Sequence, residues 1–277
     1  MKKLSKKSRD KVSSRLYAFI REGADADAVI EHAAAEKSPE SLPRLIRDYA
    51  LHRGLILDDT GALWPGLQQS VRLRYAFKKP EHYGSGASGY THVWDVVPAL
   101  AVGDADVFAR WTELVPATLS GGHAWTVAIS NAVTAIGRKD TGLMNDARSA
   151  LSSRLATRGL GNYERPLAEL LHGALSRDAA KVARAVEASV KAWPRYLGSN
   201  RWRDDWFLAL DAIAFFNLAR TLIDEPIAMP QHERWRIPPT LTKGPGNGLL
   251  DFSERLPMVD AWWRNFPALA DTSEWPG

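Results

Sequence analysis

Apolar positions recur along this chain at the three-to-four-residue spacing of amphipathic helices, and no segment sustains the period-two alternation of a half-buried strand. Val12, Leu16, Phe19 and Ile20 share one face of a helix over 8–22. A short helix through His32 and Ala35 follows, with Asp25 or Asp27 as its cap. Ser38-Pro39 starts another, with Leu42, Leu45, Ile46 and Tyr49 inward until Gly54. A helix over 65–78 is read as beginning at Pro65, with Leu67, Val71 and Tyr75 inward. Asp95 is placed as a cap, because that puts Pro98 in the first turn where it does least harm. Residues 105–115, 124–136 and 143–156 continue the pattern. The hairpin 166–193 is the cleanest, with Leu167, Leu170, Leu171, Ala174 and Leu175 on its first helix and Val182, Val186, Val190 and Trp193 on its second. Residues 204–220 are apolar almost all round and predict a central, fully surrounded helix. Beyond 224, Pro-rich connections lead to a last short helix around 257–266 that carries Trp262-Trp263.

One punctuation mark recurs at four of the junctions: an apolar stretch, then Gly or Arg, then Asp, then a second apolar stretch. The instances are Gly23-Ala24-Asp25, Gly103-Asp104, Gly137 to Asp140, and Arg177-Asp178. Glycine ends a helix in the left-handed conformation at little cost, and aspartate caps the next by accepting a free backbone N–H. The expected fold is all-α, an irregular stack of antiparallel helical hairpins resembling tetratricopeptide or HEAT repeats, with little or no sheet. Hairpins cannot bury their faces alone, so neighbours must complete the core. The expected organisation is a basic flexible tail over 1–9 and a single helical-repeat domain over 10–277. A candidate internal boundary lies at the Gly-rich stretch 78–90.

Composition narrows the chemistry. The 277 residues contain no cysteine, which removes disulfides, thiolate nucleophiles and Cys-based zinc sites, and fits a reducing cytoplasm. After Met1-Lys2-Lys3 the sequence stays polar, without the apolar region of a secretory signal. The longest apolar runs, such as 212–216, are too short to span a bilayer. A cytoplasmic protein with no membrane partner is expected. Lys2, Lys3, Lys6, Lys7 and Arg9 supply five of the 36 basic residues, so 10–277 carries 31 against 32 acidic ones, net −1. Nucleic acid is therefore expected to bind only weakly, through the basic tail. Eleven Trp residues offer large buried areas and, where exposed, interface anchors.

Candidate catalytic signals are weak. Gly84 to Gly89 spells G-x-G-x-x-G but follows a predicted helix and Lys78-Lys79-Pro80 rather than a strand, so a plain loop is expected. The seven histidines form no H-E-x-x-H pair; His82 and His92, with Tyr83 and Tyr90, flank the Gly-rich loop as the only local cluster. No metal or cofactor is expected. Asp58-Asp59 and Asp204-Asp205 are read as turn and helix-start residues. Asp211 lies within the apolar helix, and a buried carboxylate needs a partner, expected to be an Arg or a Trp N–H with a structural role. The densest aromatic–basic run spans Trp193 to Arg203 and is read as a loop between two helices. Tyr196, Arg201, Trp202 and Arg203 from this run, with Arg234 and Trp235 from a second such cluster, are the candidate binding residues.

The hairpin Leu170-Leu171-His172-Gly173-Ala174 to Asp178-Ala179-Ala180, the helix Ala209 to Arg220, and the stretch through Ile223 to Ile237-Pro238-Pro239-Thr240-Leu241 resemble immunity protein family forty-nine. This is a family of helical proteins that protect bacteria from polymorphic toxins. The likeness covers residues 166–241. It implies a cytoplasmic, all-helical, non-enzymatic protein that binds a cognate toxin and blocks it. Two other readings stay open: a nucleic-acid-binding helical-repeat protein akin to DNA glycosylases, for which Trp94-Asp95 would matter, or a generic helical scaffold. A cluster of Arg195, Arg201, Arg203, Arg234 and Arg236 on one concave face would favour the nucleic-acid reading.

Overall fold

The turn chemistry read from the sequence is built four times over. Gly23, Gly103, Lys139 and Arg177 take positive φ values of 99°, 75°, 55° and 53°. The N–H of each bonds the carbonyl three residues back, and the next N–H reaches the carbonyl five residues back, the pair of bonds that closes a Schellman turn. Asp25, Asp104, Asp140 and Asp178 then accept the N–H groups of Ala28, Val107, Leu143 and Lys181 at 2.8–3.0 Å. One position differs from expectation. At the third turn the left-handed residue is Lys139, and Gly137 stays inside the helix Ala124–Arg138, where a Cβ would press into Thr112 Cγ2. Its small size therefore serves helix packing.

The computed structural model describes residues 3–78, 89–157, 159, 161–199, 207–266 and 270–275, with side chains described at all of these except 90–94, 195–199 and 274. His82, Tyr83 and residues 84–88 of the Gly-rich loop fall outside what is described, whereas Gly89, Tyr90 and His92 lie on a helix, with the Tyr90 and His92 side chains outside what is described. The fold is all-α, with no strand among the described residues. The chain divides into two compact units, one of Lys2–Lys79 with Thr242–Gly277 and one spanning Pro80–Leu241. The division falls inside the 78–90 stretch singled out above. The return of 242–277 to the first unit was not read from the sequence.

The first unit holds α1 (Lys6–Ser13), α2 (Ala18–Arg21), α3 (Ala26–Ala35), α4 (Leu42–Leu51), α5 (Thr60–Ala76) and, from the C-terminal stretch, the helix Pro257–Arg264. The basic segment expected to be a flexible tail instead begins α1. Ser5 caps it through Ser8 N–H at 3.2 Å, and Leu4 and Val12 are buried. The single helix expected over 8–22 is broken, because the Ser14 hydroxyl takes the Lys11 carbonyl at 3.0 Å and ends α1. Helix α4 runs on into a π-helical turn, His52–Ile56, past the stop expected at Gly54. A Cβ on Gly54 or Gly66 would press into Leu63 or Ala50, so both glycines permit close approach of α5 to the α4 segment. Helix α5 starts at Thr60, with Pro65 inside it rather than at its head. Burial of Leu63, Gly66 and Leu67 against neighbours outweighs the hydrogen bond that proline forfeits. From the C-terminal stretch, Leu250 N–H and C=O are both taken by the buried Gln69 side chain, at 3.1 and 2.8 Å.

The second unit holds α6 (Gly89–Ala101), α7 (Ala105–Leu114), α8 (Ala124–Arg138), α9 (Thr141–Ala156), α10 (Glu164–Leu175), α11 (Ala179–Ser199) and α12 (Leu210–Ala219). The remaining helix, Pro257–Arg264, is α13. Asp95 does not cap α6 but sits within it, as does Pro98, because the buried run from Val96 to Val102 is held by packing. Helix α11 continues past Pro194 to Ser199, so 193–199 is helix rather than the expected loop. Its stripe Val182, Val186, Val190 and Trp193 is fully buried and carries the helix through the proline. Every residue of α12 is buried, as its apolar circumference predicts, and it packs on α6, α10 and α11. Each fully buried Leu, Ile or Phe there contributes roughly 1.5–3 kcal/mol. Its one buried amide, Asn217, donates to the Leu100 carbonyl at 2.8 Å, near the C-terminal end of α6.

Candidate functional site

The residues expected to bind a partner divide into three groups. Arg201, Trp202 and Arg203 lie outside the described residues, and Tyr196 lies on α11 with its side chain outside them. Arg234 and Trp235 are described and are buried, 7% and 2% exposed, which corrects their reading as surface anchors. The Arg234 guanidinium donates to the Phe207 carbonyl at 3.1 Å and lies 4.2 Å from the centre of the Phe207 ring. Trp235 meets Phe216 of α12 edge-on at 5.2 Å. Arg236, also buried, donates to the carbonyls of Glu233 and Trp235 at 2.9 Å. The Arg-Trp-Arg cluster thus clasps the chain after α12 onto that helix, and its burial outweighs the binding role suggested by its composition. Asp211, 1% exposed, accepts the Tyr163 hydroxyl at 2.7 Å, and Tyr163 packs on Trp193 with ring centres 5.5 Å apart. One partner of Asp211 is thus a tyrosine hydroxyl, which the sequence reading did not foresee.

A different surface, in the first unit, gathers aromatic side chains in a row. Tyr17, just before α2, packs on Phe19 at 5.9 Å between ring centres, and Phe19 stacks on His32 of α3 at 4.3 Å. His32 bonds the Glu36 carboxylate at 3.1 Å, and the Glu36 carbonyl accepts Trp275 Nε1–H at 2.7 Å. Trp275 stacks on Trp262 of α13 at 6.2 Å, and Trp262 meets Phe77, just after α5, edge-on at 5.4 Å. Tyr17, Phe19, His32, Phe77 and Trp262 are half-buried. At the Tyr17 end the Arg44 guanidinium lies 5.1 Å from the centre of the Tyr17 ring and 3.9 Å from the Asp48 carboxylate. Burial, above all, holds the Tyr17 phenol above its ordinary value, with Arg44 opposing and Asp48 and Glu36 reinforcing, so it stays protonated and able to donate at neutral pH. The sequence held one signal of this row. Adjacent residues point about 100° apart on a helix, so Trp262 and Trp263 cannot both face the core.

The second unit carries a polar cluster on the α10–α11 hairpin. His172 Nδ1 accepts from Lys181 Nζ at 2.8 Å and lies 3.4 Å from Ser176 Oγ. Burial first, then Lys181 and Arg148, holds the His172 imidazole below its ordinary value, so it is neutral at pH 7. His52 in the π-helical turn is likewise lowered, by burial and then by Arg53. A histidine held neutral in the fold stabilises it fully above the unfolded value of 6.5, and that stability is lost as the pH falls below 6.5 through the folded value. The urea-unfolding midpoint is expected to fall between pH about 7.5 and about 5, and to fall less in His172→Gln. An unchanged slope in that variant would remove His172 from the account.

No group of three or more His, Asp or Glu able to hold a metal ion occurs among the described residues. No helix among them is long and apolar enough to cross a membrane. Compared with protein-family models, with curated proteins and with solved structures, the chain matches none.

Proposed function

We propose that this protein is a non-enzymatic binding partner that neutralises a cognate toxin in the cytoplasm by covering the toxin's working surface. The observation that supports it most is the aromatic row Tyr17, Phe19, His32, Trp262 and Phe77. Tyr and Trp are the residue types that dominate binding hot spots, and side chains already half-buried in ring contacts lose little freedom on docking. The exposed Arg44 at the Tyr17 end favours an acidic group on the partner there, which would set partner choice and on-rate. The likeness of α10, α12 and the stretch to Leu241 to helical immunity proteins supports the same reading. The nucleic-acid alternative loses support, because Arg234 and Arg236 are buried and bonded to backbone carbonyls instead of extending a basic face.

The test is co-expression with the product of the neighbouring gene, scored for capture and for rescue of growth. Stoichiometric capture with rescue is expected. Replacing Trp262 and Tyr17 by alanine is expected to weaken binding by about thirtyfold, the roughly 2 kcal/mol of a hot-spot pair. Thermal unfolding of the variant separates this effect from loss of fold. Capture undiminished by the double substitution would remove the aromatic row as the interface, and neither capture nor rescue would sink the cognate-pair reading.

A further inference from the structure

In the second unit, a cavity of about 230 Å³ opens between α9, the turn joining α10 to α11, and Leu222 beyond α12. Arg148 and Asn145 of α9 line one side, and Ser176 and Arg177 of the turn line the other, with Met144 and Leu222 supplying apolar wall. Neither Arg148 nor Arg177 forms an ion pair among the described residues. Next to Ser176, Lys181 holds its ammonium against the neutral His172. Asp178, the carboxylate on the same turn, is engaged in capping the Lys181 N–H at 2.8 Å. Two arginines on the wall, with Lys181 beyond Ser176, make a cationic setting that suits a dianion.

Arg177 also holds a conformation that favours glycine. Its φ is 53°, at the turn position that Gly23 and Gly103 fill in two sister turns. The C-terminal dipole of α10 accounts for a cation there in general, as at Lys139, but not for its place on a cavity wall. Guanidinium groups bind phosphoryl oxygens through paired, charge-assisted hydrogen bonds. We propose that the Arg148–Arg177 cavity binds a phosphoryl dianion, either free phosphate or the head of a small phosphate monoester. Ser176 and Asn145 would supply neutral hydrogen bonds. The volume corresponds to about eight waters at ~30 Å³ each, which leaves room beyond a phosphate ion for the first atoms of an ester. This cavity and the aromatic row belong to different units, so the two proposals stand or fall separately.

The test is calorimetric titration of the full chain, without any partner protein, using inorganic phosphate and glycerol phosphate, with chloride at matched ionic strength as control. Saturable binding of phosphate or of the monoester is expected. Tighter binding of glycerol phosphate would assign an ester, and tighter binding of inorganic phosphate would assign the free ion. Arg177→Gly keeps the turn and relieves its strained φ, so the variant should fold at least as stably as the parent. It should still lose affinity by about tenfold or more, and Arg148→Gln likewise; tenfold corresponds to about 1.4 kcal/mol. Three results would overturn the proposal: no saturable binding of either ligand, a response to chloride equal to that to phosphate, or a folded Arg177→Gly chain that binds as tightly as the parent.

Discussion

Replacing Trp263 by alanine is expected to destabilise the unit of Lys2–Lys79 and Thr242–Gly277 by about 3–5 kcal/mol, the range for truncating a buried tryptophan. Trp263 is 0% exposed, and its ring is so closely met that a Cβ on Gly248 would lie 2.8 Å from its Cζ2. The side chain is also tied at its polar edge, where Nε1–H donates to Asp260 at 3.2 Å. Around it the C-terminal stretch is held by few but buried polar bonds. Arg72 of α5, itself 0% exposed, donates to the Gly244 carbonyl at 2.9 Å, and Gln69 binds both backbone groups of Leu250. The lost indole leaves a cavity beside these groups, and water entering it weakens their bonds. Hydrogen exchange resolved along the chain checks this: amides over 244–263 should lose protection first. A loss of stability below about 1 kcal/mol would show instead that α13 can collapse into the space.

The second large effect is expected at Gly103. In Gly103→Ala the new Cβ would meet the Thr240 carbonyl oxygen at 2.6 Å and Pro239 at 3.1 Å, while φ stays at 75°. Backbone strain of about 1–2 kcal/mol then adds to an overpacking cost of about 1–3 kcal/mol. The clashing atom is backbone, so the extended stretch must move as a whole. Gly23→Ala is the control, because its φ of 99° is also positive but nothing lies within 4 Å of the added methyl. It should cost only the strain, about 1–2 kcal/mol. Urea unfolding of the two variants, compared pairwise, measures the difference. Equal losses would remove the packing of Gly103 against Pro239 and Thr240 from the account.

Local chemistry sufficed for the hairpin turns and for the all-helical class. A Schellman turn and an aspartate cap involve residues within about six positions of one another, so Gly103-Asp104 and Arg177-Asp178 could be read directly. The buried stripe of α11 and the enclosed helix α12 were legible for a related reason, since helical spacing alone says which faces must be covered. Proline was misjudged where packing outbid local preference. Pro65, Pro98 and Pro194 all lie inside helices whose neighbours are buried. The candidate site was the least legible part. Arg234 and Trp235 have the composition of a hot spot, but Phe207 and Phe216, reached only through the tertiary fold, cover them. Tyr17 and Phe77 attract no notice in the sequence, and Trp262 only as the neighbour of Trp263, because the row they belong to joins positions up to 258 residues apart. Helix and turn formation is settled between near neighbours, whereas exposure is settled by which distant segment arrives on top. Only the tertiary structure decided which aromatic and basic side chains face outward.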